Sequence, residues 1–182
     1  MHNKITIQDR VYGEFEIDDP LAIELINLPE FTRLKQMDQF GCYKYGFEQA
    51  DVTRFEHSLV VYNLLRHFNA SHEAQITGLL HDVSHTVFSH VIDYVRGDRA
   101  GQATADRDHI NIVGQGEIRR LLDEADFDYK RISEIELFSL LDVDLPDICC
   151  DRMDYFLRDL KRLIDEHRAV HEKGFYIKVV RD

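Results

Sequence analysis

Between residues 54 and 68, Val60, Val61, Leu64, Leu65 and Phe68 fall on one face of a helix that advances about 100° per residue, a spacing that no strand can bury. The same period returns along residues 71–83, where Ile76, Leu79, Leu80 and Val83 line one side. It returns again along 147–166, where Met153, Phe156, Leu157, Leu160, Leu163 and Ile164 share an arc of about 120°. Each stripe must be covered by another element, so the chain is expected to be all-α, a helical bundle.

The flanking segments fill in the organisation. Apolar and polar residues alternate over 4–7 and 11–17 with Gln8, Asp9 and Arg10 between, which predicts a small N-terminal β-hairpin. Asp18, Asp19 and Pro20 announce a helix over 21–27, and a second is expected from Pro29 through Phe31, Leu34 and Met37 to Gly41, followed by a polar loop over 43–53. Further helices are expected through Phe88, Val91, Ile92, Tyr94 and Val95 up to Gly97, over 109–122, over 132–141 and, after Pro146, over 147–166; residues 97–108 read as an exposed loop. After Gly174 the pattern turns β-like over 175–180, a short strand that would leave a hairpin incomplete in a longer natural protein. There is no repeat and no linker, so one domain is expected over 1–182: hairpin 1–19, helical core 20–168, turn and strand 169–182.

Charge and cysteine usage exclude several classes. With 22 basic against 34 acidic residues the net charge is −12, and no basic block exists, so non-specific nucleic-acid binding is not expected. Such a chain needs a local basic pocket or a bound cation to handle an anion, which directs attention to its 10 histidines. Cys42, Cys149 and Cys150 have no metal-type pair spacing, and neighbouring cysteines rarely bridge, so a reducing, cytoplasmic setting is expected. The first ten residues carry no secretion signal, and no window of about 18 apolar residues exists to span a membrane.

Helical geometry groups the chemistry-bearing side chains. His57 lies within the apolar arc of its helix and points inward, whereas His81, Asp82 and His85 gather on the polar side of the next. Taken singly, each has an ordinary role: a hydrogen-bonded core histidine, or a histidine beside a surface carboxylate. An imidazole and a carboxylate leaving one helical turn together can also bind one divalent cation. Asp151, Asp154, Tyr155, Arg158 and Asp159 form the polar arc of the last helix, by default a solvated face, from which Asp151 could supply a further ligand while the apolar back seals against the bundle.

The segments Thr53-Arg54-Phe55-Glu56-His57-Ser58-Leu59, Leu79-Leu80-His81-Asp82-Val83-Ser84-His85, Phe88-Ser89-His90 and Asp151-Arg152-Met153-Asp154-Tyr155 with Arg158-Asp159 resemble the HD-domain metal-dependent phosphohydrolases. They are similar in particular to the branch of deoxynucleoside triphosphate triphosphohydrolases of the SAM-and-HD-domain type. Val11-Tyr12-Gly13, Leu28-Pro29-Glu30-Phe31-Thr32-Arg33-Leu34 and Gln39-Phe40-Gly41 resemble that branch's opening, so the likeness runs from about residue 5 to 160. The resemblance implies an HD-domain bundle in which His57, His81, Asp82 and Asp151 hold a divalent metal, with room for a second. It implies His85 and His109, with Asp82, as the catalytic groups. It also implies Gln39, Arg54, Arg152, Tyr155 and Asp159 as contacts to the phosphates and sugar of a nucleotide, and leaves Phe40 between base stacking and the core. The chain departs from the branch at Ser84, Thr86 and Val87, where glycines and a proline are usual, and in lacking a long C-terminal part.

The expected activity is therefore metal-dependent hydrolysis of a small phosphorylated substrate, a nucleotide. Attack at the α-phosphate of a deoxynucleoside triphosphate would yield nucleoside and triphosphate; attack on a monophosphate would make the protein a nucleotidase. Two alternatives stay open: a non-catalytic, metal-stabilised interaction domain, and a di-iron oxygenase with His85 and His109 as ligands. A homodimer is the expected assembly.

Overall fold

The structure, a computed structural model, describes residues 4–39, 41, 45–46, 51–87 and 103–172, with backbone alone at 103–107 and 166–172. Phe40, Cys42, the expected helix from Phe88 to its stop at Gly97, and the expected strand at 175–180 lie outside the described residues.

The hairpin forms as expected, with its turn placed later. Strand β1 (Ile5–Asp9) pairs antiparallel with β2 (Gly13–Ile17) in the register Ile5 with Ile17 and Asp9 with Gly13. The turn is therefore Arg10, Val11 and Tyr12. Asp9 Oδ1 fixes it by accepting from the Val11 and Tyr12 amides at 2.7 and 3.0 Å, and Gly13 closes it at φ +74°.

Helix α1 (Pro20–Asn27) starts where the sequence indicates, with Asp19 capping the Leu21 amide and Pro20 in the first turn. The next element differs from expectation. Helix α2 (Pro29–Thr32) tightens into a 3₁₀ turn (Arg33–Gln36), and Met37 is already extended at φ −119°, ψ 112°, so no helix reaches Gly41. Asp38 instead bridges to Thr53. Thr53 caps α3 (Arg54–His67) in a reciprocal box with Glu56, and Ser71 caps α4 (His72–Leu80).

Residues 103–108 are helical rather than looped, because α5 (Ala103–Val113) begins well before His109. The expected helix over 109–122 is split. A Cβ on Gly114 would lie 2.7 Å from the Ile110 carbonyl oxygen and 2.6 Å from Tyr129, and Gly116 takes φ +62°, so α6 (Gly116–Glu124) restarts in a new direction. Residues 132–141 likewise resolve into α7 (Tyr129–Ser133), a 3₁₀ turn (Ile135–Leu137) and further turns. The final helix, α8 (Cys150–Glu172), starts three residues later than expected.

Helix α3 is the axis of the bundle. Leu59 and Tyr62 belong to one apolar cluster with Phe31, Ile76, Leu79, Leu80 and Leu122, while Val60, Val61, Leu64 and Leu65 belong to a second with Ala74, Phe138, Leu141 and Cys150. Each fully buried leucine stabilises the fold by about 1.5–3 kcal/mol. Gly78 of α4 leaves room for α3's Leu65 side chain; a Cβ there would overlap Leu65 Cδ1, which would have to shift, and touch Val61 and Leu141 at 3.4 and 3.5 Å. Helix α8 packs on α3 with much of its polar arc inward, contrary to expectation, although Met153 still packs against the second cluster. Asp154 and Arg158 are buried, whereas Phe156, Leu160, Leu163 and Ile164 are exposed, Phe156 at 64%. The polar arc turns inward because its charges find partners there, described below. Among the described residues no helix is long and apolar enough to cross a membrane.

Candidate metal centre

Three elements deliver imidazoles and carboxylates to one point beside the α3–α4 contact. His57 sits one turn into α3, wholly buried, held by the Thr53–Glu56 box below it. His81 and Asp82 follow the last residue of α4, in a turn rather than on the continuing helix that the sequence pattern suggests. This exit is anchored by Arg33, which donates to the Val83 and His85 carbonyls at 2.5 and 3.0 Å. Asp151 lies in the first turn of α8.

The rings are oriented from behind. Gly78 O can only accept, so His81 Nδ1, 2.7 Å away, carries the hydrogen; a carboxylate likewise faces His57 Nδ1, Asp154 Oδ2 at 2.7 Å. Both Nε2 lone pairs are thereby aimed at the same space, 3.3 Å apart, with Asp151 Oδ1 at 2.8 Å from His57 Nε2 and 3.5 Å from His81 Nε2. With the Nε2 atoms deprotonated these are three converging acceptors, which a cation between them would satisfy, and without a metal a proton takes that place. Two bonds of about 2.1 Å from one ion reach nitrogens separated by about 3.0–3.4 Å, and the cluster of His57, His81 and Asp151 could hold a divalent metal on that geometry.

The fourth expected ligand, Asp82, stands at the edge. Its Oδ1 is 3.8 Å from His81 Nε2, 3.2 Å from His85 Nε2 and 2.6 Å from Arg54 Nη1 in a buried ion pair, while its buried Oδ2 has no hydrogen-bond partner among the described residues. That orphan oxygen is what a ligating carboxylate would present.

Electrostatics agree. Burial alone would drive His57 towards neutrality, but hydrogen bonds to Asp151 and Asp154 outweigh it and hold the ring up at about 9. Burial is similarly overcome at His81 by Asp82 and Asp151, raising its pKa. The carboxyls respond inversely: burial opposes ionisation, yet the hydrogen bonds from His57 and His81 hold Asp151 below the usual range, and the charges of His81 and Arg54 do so for Asp82. In the absence of a metal the site draws protons into the same space.

The HD-domain family profile matches residues 54–172, from the start of α3 to the end of α8. The chain belongs to the HD-domain family. Among its relatives, a metal-dependent phosphohydrolase, cns2, of Cordyceps militaris is 34% identical over 86% of this chain and 45% of its own length. The uncharacterized protein YdhJ of Bacillus subtilis is 38% identical over 94% of this chain and 52% of its own. The human deoxynucleoside triphosphate triphosphohydrolase SAMHD1 is 36% identical over 48% of this chain and 16% of its own. A solved structure of a hypothetical protein from Aquifex aeolicus superposes with a TM-score of 0.67 at 26% identity, over 87% of this chain and 46% of that one. The chain thus spans about half the length of the first two relatives.

Within this HD domain the other expected site residues are distributed unevenly. His85 adjoins Asp82. His109, on α5, is buried with both ring nitrogens lacking a partner among the described residues, and burial followed by the nearby His81 charge pushes it down to about 4. Tyr155 stacks on His57, ring centres 4.7 Å apart, and receives a 2.7 Å hydrogen bond from Gln39 Nε2. Arg54 is turned onto Asp82 and the Gln39 carbonyl. Arg152 makes its described contacts elsewhere, with Cys149 Sγ and Asp142, and Asp159 with Arg162. Sequence reasoning missed the parts played by Arg33, Asp154 and Arg158. The signal for the last two was present: Asp151, Asp154 and Arg158 recur at three and four residues, the spacing of one helix face, and Asp151 already placed that face at the site.

Proposed function

We propose that this HD domain is a metal-dependent phosphohydrolase of a nucleotide, either a deoxynucleoside triphosphate cleaved to nucleoside and triphosphate or a nucleoside monophosphate. The observation that carries the reading is the convergence of His57 Nε2, His81 Nε2 and Asp151 Oδ1 beside Asp82 Oδ2, which has no hydrogen-bond partner among the described residues. These four residues would hold the ion, which when bound supplies a Lewis acid for a phosphoryl oxygen and lowers the pKa of a water. In hydrolysis a water oxygen bonds to phosphorus, the bond from phosphorus to the ester oxygen breaks, and a proton reaches the leaving oxygen. His109, neutral at pH 7, can take up a proton, and His85, 3.2 Å from Asp82, can hold and donate one. Arg54 keeps Asp82 ionised, and Gln39 with Tyr155 forms a wall suited to a sugar edge. The likeness to SAMHD1 over about half of the chain supports the nucleotide assignment.

Chromatography of products from mono-, di- and triphosphates of deoxynucleosides incubated with the manganese-loaded protein tests this. Nucleoside with intact triphosphate, or nucleoside with inorganic phosphate from a monophosphate, absent with Asp82→Ala, is the expected result; no turnover of any nucleotide overturns it. One observation favours a second reading, a two-metal centre with oxygen chemistry: both ring nitrogens of His109 lack a partner among the described residues, as those of a further ligand would. Two tightly bound irons per chain on elemental analysis would establish it over hydrolysis. We also propose a reducing intracellular setting, supported by the free, buried Cys149 and Cys150, and a homodimer, supported by the exposed apolar stripe of α8.

A further inference from the structure

The proposed metal ligand His57 is held by a chain of charged side chains that ends outside the span matched by the HD-domain profile. His57 Nδ1 donates to Asp154 Oδ2 at 2.7 Å; Arg158 Nε donates to the same oxygen at 2.8 Å; Arg158 Nη2 donates to Asp9 Oδ2 at 2.9 Å. Asp9 Oδ1 in turn accepts the Val11 and Tyr12 amides. The side chains are shielded from water throughout: His57 and Asp154 at 0% exposure, Arg158 at 6%, Asp9 at 5%.

Desolvating two carboxylates and a guanidinium costs several kcal/mol per ion unless each is closely paired, and replacing such a group by apolar packing is often neutral or stabilising. A chain built only for stability has cheaper solutions at position 158. What this arrangement provides is direction. Arg158 is a planar fork with two ends, one on the carboxylate that sets the tautomer and tilt of the His57 ring and one on the turn of the hairpin. The turn is itself rigid, since the other oxygen of Asp9 locks its backbone.

We propose that Asp9 is a positioning residue for the metal ligand His57, acting through Arg158 and Asp154, so that the N-terminal hairpin is a working part of the metal centre. The proposal rests on the metal reading of His57, His81 and Asp151 given above. Asp9→Asn separates the two duties of this side chain. An amide oxygen still accepts the Val11 and Tyr12 amides, while the amide NH₂ faces the Arg158 donor and breaks the link.

Titration of the intact metal-free protein with Co²⁺, followed by visible absorption, reads both the affinity and the ligand field. Wild-type protein that binds no Co²⁺ overturns the metal reading itself, and the proposal with it. Given wild-type binding, Asp9→Asn is expected to weaken Co²⁺ about tenfold, the low end of the 10–100-fold loss for groups that orient metal ligands, and to shift the absorption bands. In an Asp154→Asn background the same substitution is expected to add nothing. Unchanged affinity and spectrum in Asp9→Asn overturn the proposal, as does an equal loss in both backgrounds, which would mean a general effect on the fold. Lys4→Ala, which removes an exposed hairpin ion pair with Glu16, serves as the control and leaves Co²⁺ binding unchanged. Should Asp9→Asn fail to fold, Arg158→Lys, whose compact ammonium lacks the planar two-ended fork that fixes the two carboxylates relative to each other, is read the same way, with the same loss or lack of loss deciding.

Discussion

A single imidazole, His57, carries the strongest chemical statement of the structure. Its two nitrogens face carboxylates 2.7 and 2.8 Å away, and the proton it would otherwise shed at neutral pH is retained to about pH 9. Two consequences of opposite sign follow. In the metal-free protein the folded pKa lies above the unfolded value of 6.5, so the associated stability is complete below pH 6.5 and is lost as the pH rises through about 9. Thermal unfolding of chelated protein between pH 6 and 9.5 is expected to show that decline. A divalent ion must displace the same proton, so metal affinity rises with pH, by about tenfold per unit between 6.5 and 9 for one proton released. Manganese calorimetry at two pH values, in buffers of different ionisation enthalpy, reads both the slope and the released proton.

At the scale of elements, caps and glycines decide more than apolar period. The extent of α3 was legible from its apolar face over residues 54–68, and with it the inward direction of His57. The grouping of His81 with Asp82 was legible too, although the helix that was to carry them stops at Leu80. The inversion of α8 was not. Periodicity gives a helix two faces without saying which is covered, and the usual assumption that the apolar one is covered fails where Asp154 and Arg158 pair with His57 and Asp9, from elements far away in sequence. The break between α5 and α6 lay in Gly114, whose constraint comes from contact with Tyr129, again invisible locally. Gly114→Ala would push a methyl against backbone oxygen and the Tyr129 ring, so a loss of about 1–3 kcal/mol is expected for this overpacking, measured by urea unfolding. The metal ligands, which lie on other elements, should keep their stoichiometry.

Over the whole molecule, the proposed ligands come from positions 57, 81, 82 and 151, on three elements that the chain visits far apart. An ion bound there is a cross-link present only in the folded state. Removing it with a chelator is expected to lower the midpoint of thermal unfolding, and adding it back at about 100 times its dissociation constant should restore about 2.7 kcal/mol. A scan with and without chelator checks this, and Asp151→Asn should abolish the difference. The gap that such an ion must fill is not set by the ligands themselves. Between helices α3 and α4, Gly78 leaves room for the Leu65 side chain, and the carbonyl of that same residue steers His81. The backbone of α4 therefore acts as a caliper on ionic radius, one jaw of the site being fixed through a carbonyl rather than through a side chain free to follow the ion.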